Sequence, residues 1–309
     1  MKVSIVVPVM NESGNVHLLL QKLFEVLEKY DSFEIILVDD GSTDDTFAQI
    51  NSCVIPDSCK NRGNVRCLSF SRNFGHQHAL KCGLDAATGD CIISMDGDLQ
   101  HPPEMIPTLI DKWQETKCNI VFTIRQDDPT LSFFKRFTSK SFYYLINAMT
   151  SLKLNPGSAD FRLIDRKVQA TIKSLKEPNI FFRGMVNWIG YSQVGIPYMP
   201  EQRHWGKTKY TLKKMLKFAE TGITSFSTLP LKLSFAPAVL FILGFIAATI
   251  LNFKNIIKGD NSAITLSVVL LACGILFLVL HMLSKYIGII YEEQKGRPAY
   301  IVKEDVTIE

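Results

Sequence analysis

Cys91-Ile92-Ile93-Ser94-Met95-Asp96-Gly97-Asp98-Leu99-Gln100-His101-Pro102-Pro103-Glu104 changes character in its middle: a short apolar run of strand length passes directly into a polar stretch with two carboxylates. The same change recurs upstream. Val3-Ser4-Ile5-Val6-Val7-Pro8 leads into Val9-Met10-Asn11-Glu12. Glu34-Ile35-Ile36-Leu37-Val38 leads into Asp39-Asp40-Gly41-Ser42, and Val65-Arg66-Cys67-Leu68-Ser69-Phe70 into Ser71-Arg72-Asn73-Phe74-Gly75. A fifth run is Asn119-Ile120-Val121-Phe122-Thr123. Helical patterns lie between the runs, among them Val16 to Leu27 and His78 to Ala87. Strands alternating with helices imply βαβ units and a mostly parallel sheet covered on both faces. Ligands of such sheets bind outside the carboxyl ends of the strands. Each polar stretch alone could be a cap or a turn, as Asp40-Gly41-Ser42-Thr43-Asp44 would be, but four on one sheet edge mark a candidate site.

Asp96 and Asp98 are the sharpest feature of that edge. In extended backbone, residues i and i+2 project to the same side, and like charges held that close call for a cation between them. Hard oxygen ligands suit Mg²⁺ or Mn²⁺, which bind one or two carboxylates together with substrate phosphates. Neither G-x-G-x-x-G nor G-x-x-x-x-G-K-[ST] occurs, which argues against dinucleotide oxidoreductases and P-loop NTPases.

The whole chain has 309 residues, 47% hydrophobic and 21% charged, and a net charge of +4, so it is neither disordered nor basic enough to suggest a nucleic-acid partner. A mean hydropathy of +0.11 with so many charges means that apolar residues are concentrated. They are, in Phe235 to Phe253 and Ser262 to Leu283. Each run is about 20 residues, enough to cross the hydrocarbon core of a bilayer. Lys and Arg crowd the flanks, from Arg203 to Lys232 and from Lys285 to Lys303, whereas the connecting loop has Lys254 and Lys258. The positive-inside rule then puts both flanks in the cytoplasm. Leu212, Met215, Leu216, Ala219, Ile223 and Phe226 form an apolar helical stripe with Lys213, Lys214 and Lys217 outside it, which reads as an interfacial helix on anionic lipid. The expected organisation is a catalytic domain over 1–202, a basic juxtamembrane segment over 203–233, a transmembrane hairpin over 234–284 and a cytoplasmic tail over 285–309. Seven cysteines without a C-x-x-C pair read as reduced core thiols.

Val38-Asp39-Asp40-Gly41-Ser42, Arg72-Asn73-Phe74-Gly75, Asp96 to Glu104, Asp160-Phe161-Arg162-Leu163 and Arg203-x-x-Gly206-x-Thr208-Lys209-Tyr210 resemble the family-2 glycosyltransferases that act on polyprenyl phosphates. The likeness runs through nearly the whole chain and is nearest to the bactoprenol glucosyltransferase branch, related to dolichol-phosphate mannose synthases. Thr208 stands where serine is usual and Gly97 where the middle residue is often larger; neither departure removes a ligand. The resemblance implies an α/β fold of the GT-A nucleotide-sugar-binding type with a mostly parallel central sheet, interfacial amphipathic helices and two C-terminal transmembrane helices. It implies inverting transfer of a monosaccharide, UDP-glucose being the expected donor, to undecaprenyl phosphate at the bacterial cytoplasmic membrane. Pro8, Asn11, Glu12, Asp39, Asp40, Arg72, Asp96 and Arg125 would bind the donor. Asp96, Asp98 and Gln100 would hold Mg²⁺ or Mn²⁺. Arg136 and Arg203 would meet the acceptor phosphate, and Asp160, Arg203 and Lys209 would be catalytic. Galactose, N-acetylhexosamine, mannose or an aminoarabinose derivative stay open as the sugar, and a homo-oligomer is compatible with the pattern.

Two other function classes are weighed. A catalytically silent scaffold is opposed by the intact Asp96, Asp98, Arg203 and Lys209. A processive polysaccharide synthase would need a Q-x-x-R-W segment and more spans; Glu201-Gln202-Arg203-His204-Trp205 lacks that spacing.

Overall fold

A computed structural model describes residues 1–126, 157–175, 180–201 and 262–308, with single residues at 177 and between 226 and 246. The first strands and helices alternate: β1 (Lys2–Val9), α1 (Ser13–Leu27), β2 (Ser32–Asp39), α2 (Thr46–Asn51), β3 (Gly63–Phe70), α3 (His76–Ala86), β4 (Cys91–Ser94), α4 (Ile106–Thr116) and β5 (Ile120–Arg125). Then follow β6 (Ser158–Asp165), α5 (Arg166–Ser174), α6 (Phe182–Trp188), β7 (Gln193–Tyr198), α7 (Ser262–Gln294) and β8 (Val302–Ile308). Among the described residues the strands form one eight-stranded sheet in the order β7-β5-β6-β4-β1-β2-β3-β8.

Alternate residues of each inner strand supply opposite faces. Val3, Ile5, Val7, Ile35 and Leu37 pack under Leu19, Leu23 and Leu27 of α1, while Val6, Ile36 and Val38 pack on Leu80 and Leu84 of α3. Both faces are therefore buried, which is why these strands read as continuous apolar runs. Burying each such side chain stabilises the fold by about 1.5–3 kcal/mol. The five runs seen in the sequence are β1 to β5. Strands β1, β2, β3 and β4 pair in parallel, as do β5 and β7. The other three pairings, β4 with β6, β5 with β6 and β3 with β8, are antiparallel. The antiparallel turn at β6 brings its start, and the carboxyl ends of β5 and β7, to the rim where β1, β2 and β4 end.

Over 285–309, the segment expected as a cytoplasmic tail, the chain stays helical to Gln294 and then adds β8 to the edge of the sheet. Arg66 grips Asp305 through two hydrogen bonds of 2.8 and 2.7 Å. The Tyr300 ring stacks on Phe70 at 5.3 Å between centroids, and its hydroxyl donates to Asp85 at 3.0 Å. Backbone pairing with β3 outweighs the solvation of Lys303, Glu304 and Asp305, whose side chains stay near the surface of an edge strand.

Helix α7 contains Leu271–Gln294, long and apolar enough to cross a bilayer and with none of it buried. It covers the second expected span. The first, Phe235 to Phe253, and the basic segment over 203–233 lie largely outside the described residues. The described cysteines are free, and burial pushes the thiols of Cys67, Cys82 and Cys91 up to about 12, in keeping with inert core thiols.

Candidate active site

The loops after β1, β2 and β3 are tied to one another by their polar side chains. Asn11, with a left-handed φ of 53°, accepts at Oδ1 from the Thr43 N–H at 2.8 Å, and its own N–H donates to Ser42 Oγ at 2.9 Å. The Glu12 N–H donates to Thr46 Oγ1. Asp39, 2% exposed, accepts from the Ser42 N–H and the Ser69 hydroxyl, both at 3.0 Å. Asp40 accepts from the N–H groups of Phe74 at 2.7 Å and Gly75 at 3.0 Å. Burial raises the Asp40 carboxyl above its ordinary value, and those two N–H bonds oppose the rise. Gly41 is required between them: its φ is +70°, and a Cβ there would lie 2.6 Å from the Arg72 carbonyl carbon. Two carboxylates expected to meet a nucleoside thus also build the loop that would hold it. Arg72 lies exposed over the Phe74 ring at 4.0 Å.

Asp96 and Asp98 both follow β4 on the rim, but not in extended backbone. Strand β4 ends at Ser94, and the chain turns through Gly97 and Asp98 to Leu99, whose φ is 61°. Three contacts hold that turn. A Cβ on Gly97 would be 2.8 Å from Val9 Cγ1, so a larger residue there would have to displace Val9. Leu99 is 1% exposed and anchored in the core. Asp98 Oδ1 accepts from the Gln100 N–H at 3.1 Å. The Asp96 N–H donates to His101 Nδ1 at 2.9 Å, so the proton of a neutral His101 sits on Nε2. The His101 ring is buried, stacked on Phe161 at 5.1 Å and edge-on to Tyr198 at 5.9 Å.

These groups fit a divalent cation. Asp96 Oδ1 is buried and accepts no hydrogen bond, with His76 Nε2 3.4 Å away. Among the described residues no cluster of three or more His, Cys, Asp or Glu side chains forms a complete ligand set. Two carboxylates with phosphates and water completing the shell is the arrangement Mg²⁺ and Mn²⁺ favour.

Across the β4–β6 pair the charge reverses. Ser94 pairs with Arg162, which places Asp160 beside the metal loop, and the Ser94 hydroxyl donates to the Asp160 carbonyl at 2.6 Å. Arg183 of α6 donates to both Asp160 oxygens, at 2.9 and 3.1 Å. Arg162 approaches the same carboxylate at 3.5 Å. Burial alone would raise the Asp160 carboxyl, but Arg183 and then Arg162 outweigh it and hold it well below the usual carboxylate range. Tyr198, at the end of β7, is pushed up to about 12, chiefly by burial; Arg125, Asp96, Arg183 and Asp98 all contribute to its field. Arg125 ends β5 and is exposed.

The structure therefore gathers Asn11, Glu12, Asp39, Asp40, Asp96, Asp98, Gln100, Arg125 and Asp160 along one rim, with Pro8 in β1 beneath them. Arg136, Arg203 and Lys209 lie outside the described residues. Sequence reading missed His76, His101, Arg183 and Tyr198. The signal for Arg183 was a lone cation in the apolar run Ile180-Phe181-Phe182, and for His101 its place inside the metal-loop motif.

Residues 4–172 match the profile of glycosyl transferase family 2. The chain is 41% identical to an uncharacterized glycosyltransferase, YkcC, of Bacillus subtilis, over 99% of this chain and 94% of that one. It is 40% identical to the prophage bactoprenol glucosyl transferase homolog of Escherichia coli, over 98% and 99% of the two chains. To the bactoprenol glucosyl transferase of Shigella phage SfV it is 38% identical, over 99% of each.

Proposed function

The chain belongs to glycosyl transferase family 2, and on that premise we propose that it transfers glucose from UDP-glucose to a polyprenyl phosphate with inversion at the anomeric carbon. The observation that carries this reading is the Asp96–Asp98 turn, with its unbonded Asp96 Oδ1, set directly beside a cluster of guanidinium groups. Support for the lipid acceptor comes from bactoprenol glucosyl transferases that match this chain from end to end.

In the proposed reaction an oxygen of the acceptor phosphate bonds to the anomeric carbon while the bond from that carbon to the donor diphosphate breaks. The nucleoside diphosphate leaves with the electron pair. Asp96 and Asp98, with Gln100, would hold Mg²⁺ or Mn²⁺, whose charge stabilises the departing diphosphate. Pro8, Asn11, Glu12, Asp39, Asp40 and Arg72 form the wall assigned to the nucleoside, and Arg125 reaches the phosphates. Arg136, Arg203 and Lys209 are assigned to phosphate charge by resemblance. A phosphomonoester has a second pKa near ~6 and is mostly a dianion at neutral pH, so little proton abstraction is needed. An Asp160 kept ionised between two guanidiniums suits orientation better than proton transfer.

The membrane reading is a two-span hairpin in the bacterial cytoplasmic membrane, with the catalytic sheet in the cytosol. Parity supports it. Strand β8 shares a sheet with β1 to β7, so both ends of the chain lie on one side of any membrane. If α7 crosses, the chain must cross an odd number of further times between β7 and α7, and Phe235 to Phe253 has the length and composition to do so. The test is a screen of nucleotide sugars against undecaprenyl phosphate in detergent with Mg²⁺, the lipid product weighed by mass spectrometry. A hexosyl-phospholipid from UDP-glucose is the expected product. Transfer from another nucleotide sugar would correct the donor, and absence of any lipid-linked sugar would overturn the reading.

A further inference from the structure

We propose that Tyr300, in the stretch that leads from α7 into β8, is a positioning residue for the nucleotide-sugar donor: through its ring it braces the β3–α3 loop, one side of the wall assigned to the nucleoside. This rests on the donor reading above. The loop runs from Ser71 to Gly75, and one side of it is bound to the rest of the wall. Phe74 and Gly75 donate their N–H groups to Asp40. The Arg72–Asn73 backbone lies so close to Gly41 that a Cβ there would be 2.6 and 2.7 Å from it. A shift of this loop therefore disturbs Asp40 and Gly41 as well as Arg72.

The C-terminal end of the chain reaches the same loop by two routes. One is a series of rings. Tyr300 stacks on Phe70, the last residue of β3, with centroids 5.3 Å apart and planes 12° apart. Phe70 meets the Phe74 ring edge-on at 5.6 Å and 84°, and the Arg72 guanidinium lies 4.0 Å over that same Phe74 ring. The other route is backbone. Phe70 pairs with Val302, and the hydrogen bonding runs on past the end of β3, where the Ser71 N–H donates to the Ile301 carbonyl at 3.1 Å. The Tyr300 hydroxyl also donates to Asp85 of α3 at 3.0 Å, so one side chain ties together the strand before the loop and the helix after it. Asp305 offers a contrast within the same tail, since it grips β3 at Arg66, away from the loop. A loop that spends part of its time in positions unable to bind lowers the apparent affinity by the fraction that remains competent. An aromatic pair shifts such an equilibrium by a factor of roughly 2 to 10.

Calorimetric titration of UDP with Mg²⁺ into the full-length protein in detergent reads the donor site directly. Tyr300→Ala should weaken UDP binding by about 5-fold to 10-fold and raise the KM for UDP-glucose to match, with kcat and the KM for undecaprenyl phosphate nearly unchanged. Tyr300→Phe keeps the ring and should bind UDP within about 2-fold of the wild type. Asp305→Ala loosens the same strand and should leave UDP binding unaltered. If Tyr300→Ala shows no cooperative melting transition, Tyr300→Leu, which keeps apolar bulk without a ring, carries the same expectation. Unchanged UDP affinity in the folded Tyr300 variant overturns the inference alone. So does a loss in Tyr300→Phe as large as in Tyr300→Ala, which would remove the stack, or an equal loss in Asp305→Ala, which would trace the effect to the strand as a whole. A wild-type protein that does not bind UDP with Mg²⁺ overturns the donor reading itself.

Discussion

On one side of the β4–β6 pair the strand ends carry Asp39, Asp40, Asp96 and Asp98; on the other, Asp160 of β6 meets Arg162 of the same strand and Arg183 of α6, and Arg125 ends β5. The acidic half is parallel and its loops are held by backbone N–H groups donated to carboxylates. The basic half is entered through an antiparallel strand and is held by ion pairs between side chains. A reaction between two anions benefits from this division. In the proposed reaction the carboxylates would recruit a divalent cation to one phosphate, and guanidiniums would not compete for that metal.

The largest expected effect lies in the acidic half. Asp98→Ala should reduce turnover by about 1000-fold, since the departing diphosphate would lack its cation; EDTA should do the same to the wild-type enzyme, and full activity in EDTA would remove the metal from the comparison. Next comes the loop proposed to carry the nucleoside wall. Asp40→Asn leaves one acceptor oxygen for two N–H donors, so UDP binding measured by calorimetry should weaken by about 10-fold, the loss of one charge-assisted hydrogen bond. Unchanged affinity would make Asp40 purely architectural.

The third prediction sharpens the basic half. The Asp160 carboxyl titrates below its ordinary value in the folded chain. Its contribution to stability is therefore complete above an unfolded pKa of about 3.9 and is lost as pH falls toward the folded value. Urea unfolding of Asp160→Asn should accordingly show a flatter acid limb than the wild type below about pH 4, with the two curves parallel near neutrality. The smallest effect belongs to the edge strand. The Arg66–Asp305 pair is half exposed, and Asp305→Ala should cost under about 1 kcal/mol and diminish with salt. A larger loss would mean that β8 does more than close the sheet.

Legibility followed locality. Strands β1 to β5 announce themselves because each is apolar on both faces, and the rim loops because Asp, Asn, Gly and Ser cluster where strands end. Strand β6 did not read as a strand: its Asp160 and Arg162 look polar, and only in the folded chain does Asp160 meet both Arg162 and Arg183 of α6. Strand β7 carries Gly195 and Pro197, and β8 is an edge strand with Lys303, Glu304 and Asp305, so neither has the apolar signature. Extended backbone does not connect Asp96 to Asp98: the chain between them turns at Gly97, which lies close against Val9, and Leu99 beyond it is buried.

By itself the sequence determined the alternating α/β order, the edge that bears the site, the paired carboxylates, the apolar run of α7 and the likeness to polyprenyl-phosphate glycosyltransferases. Each of these is written in residues a few positions apart. Only the tertiary structure decided which cation faces Asp160, 23 residues away in the chain, and that the tail returns to the sheet through an ion pair spanning 239 residues. The physical reason is that backbone propensity and burial act over neighbouring residues, whereas the counterion of a buried charge is chosen by whatever the folded chain brings within about 4 Å of it.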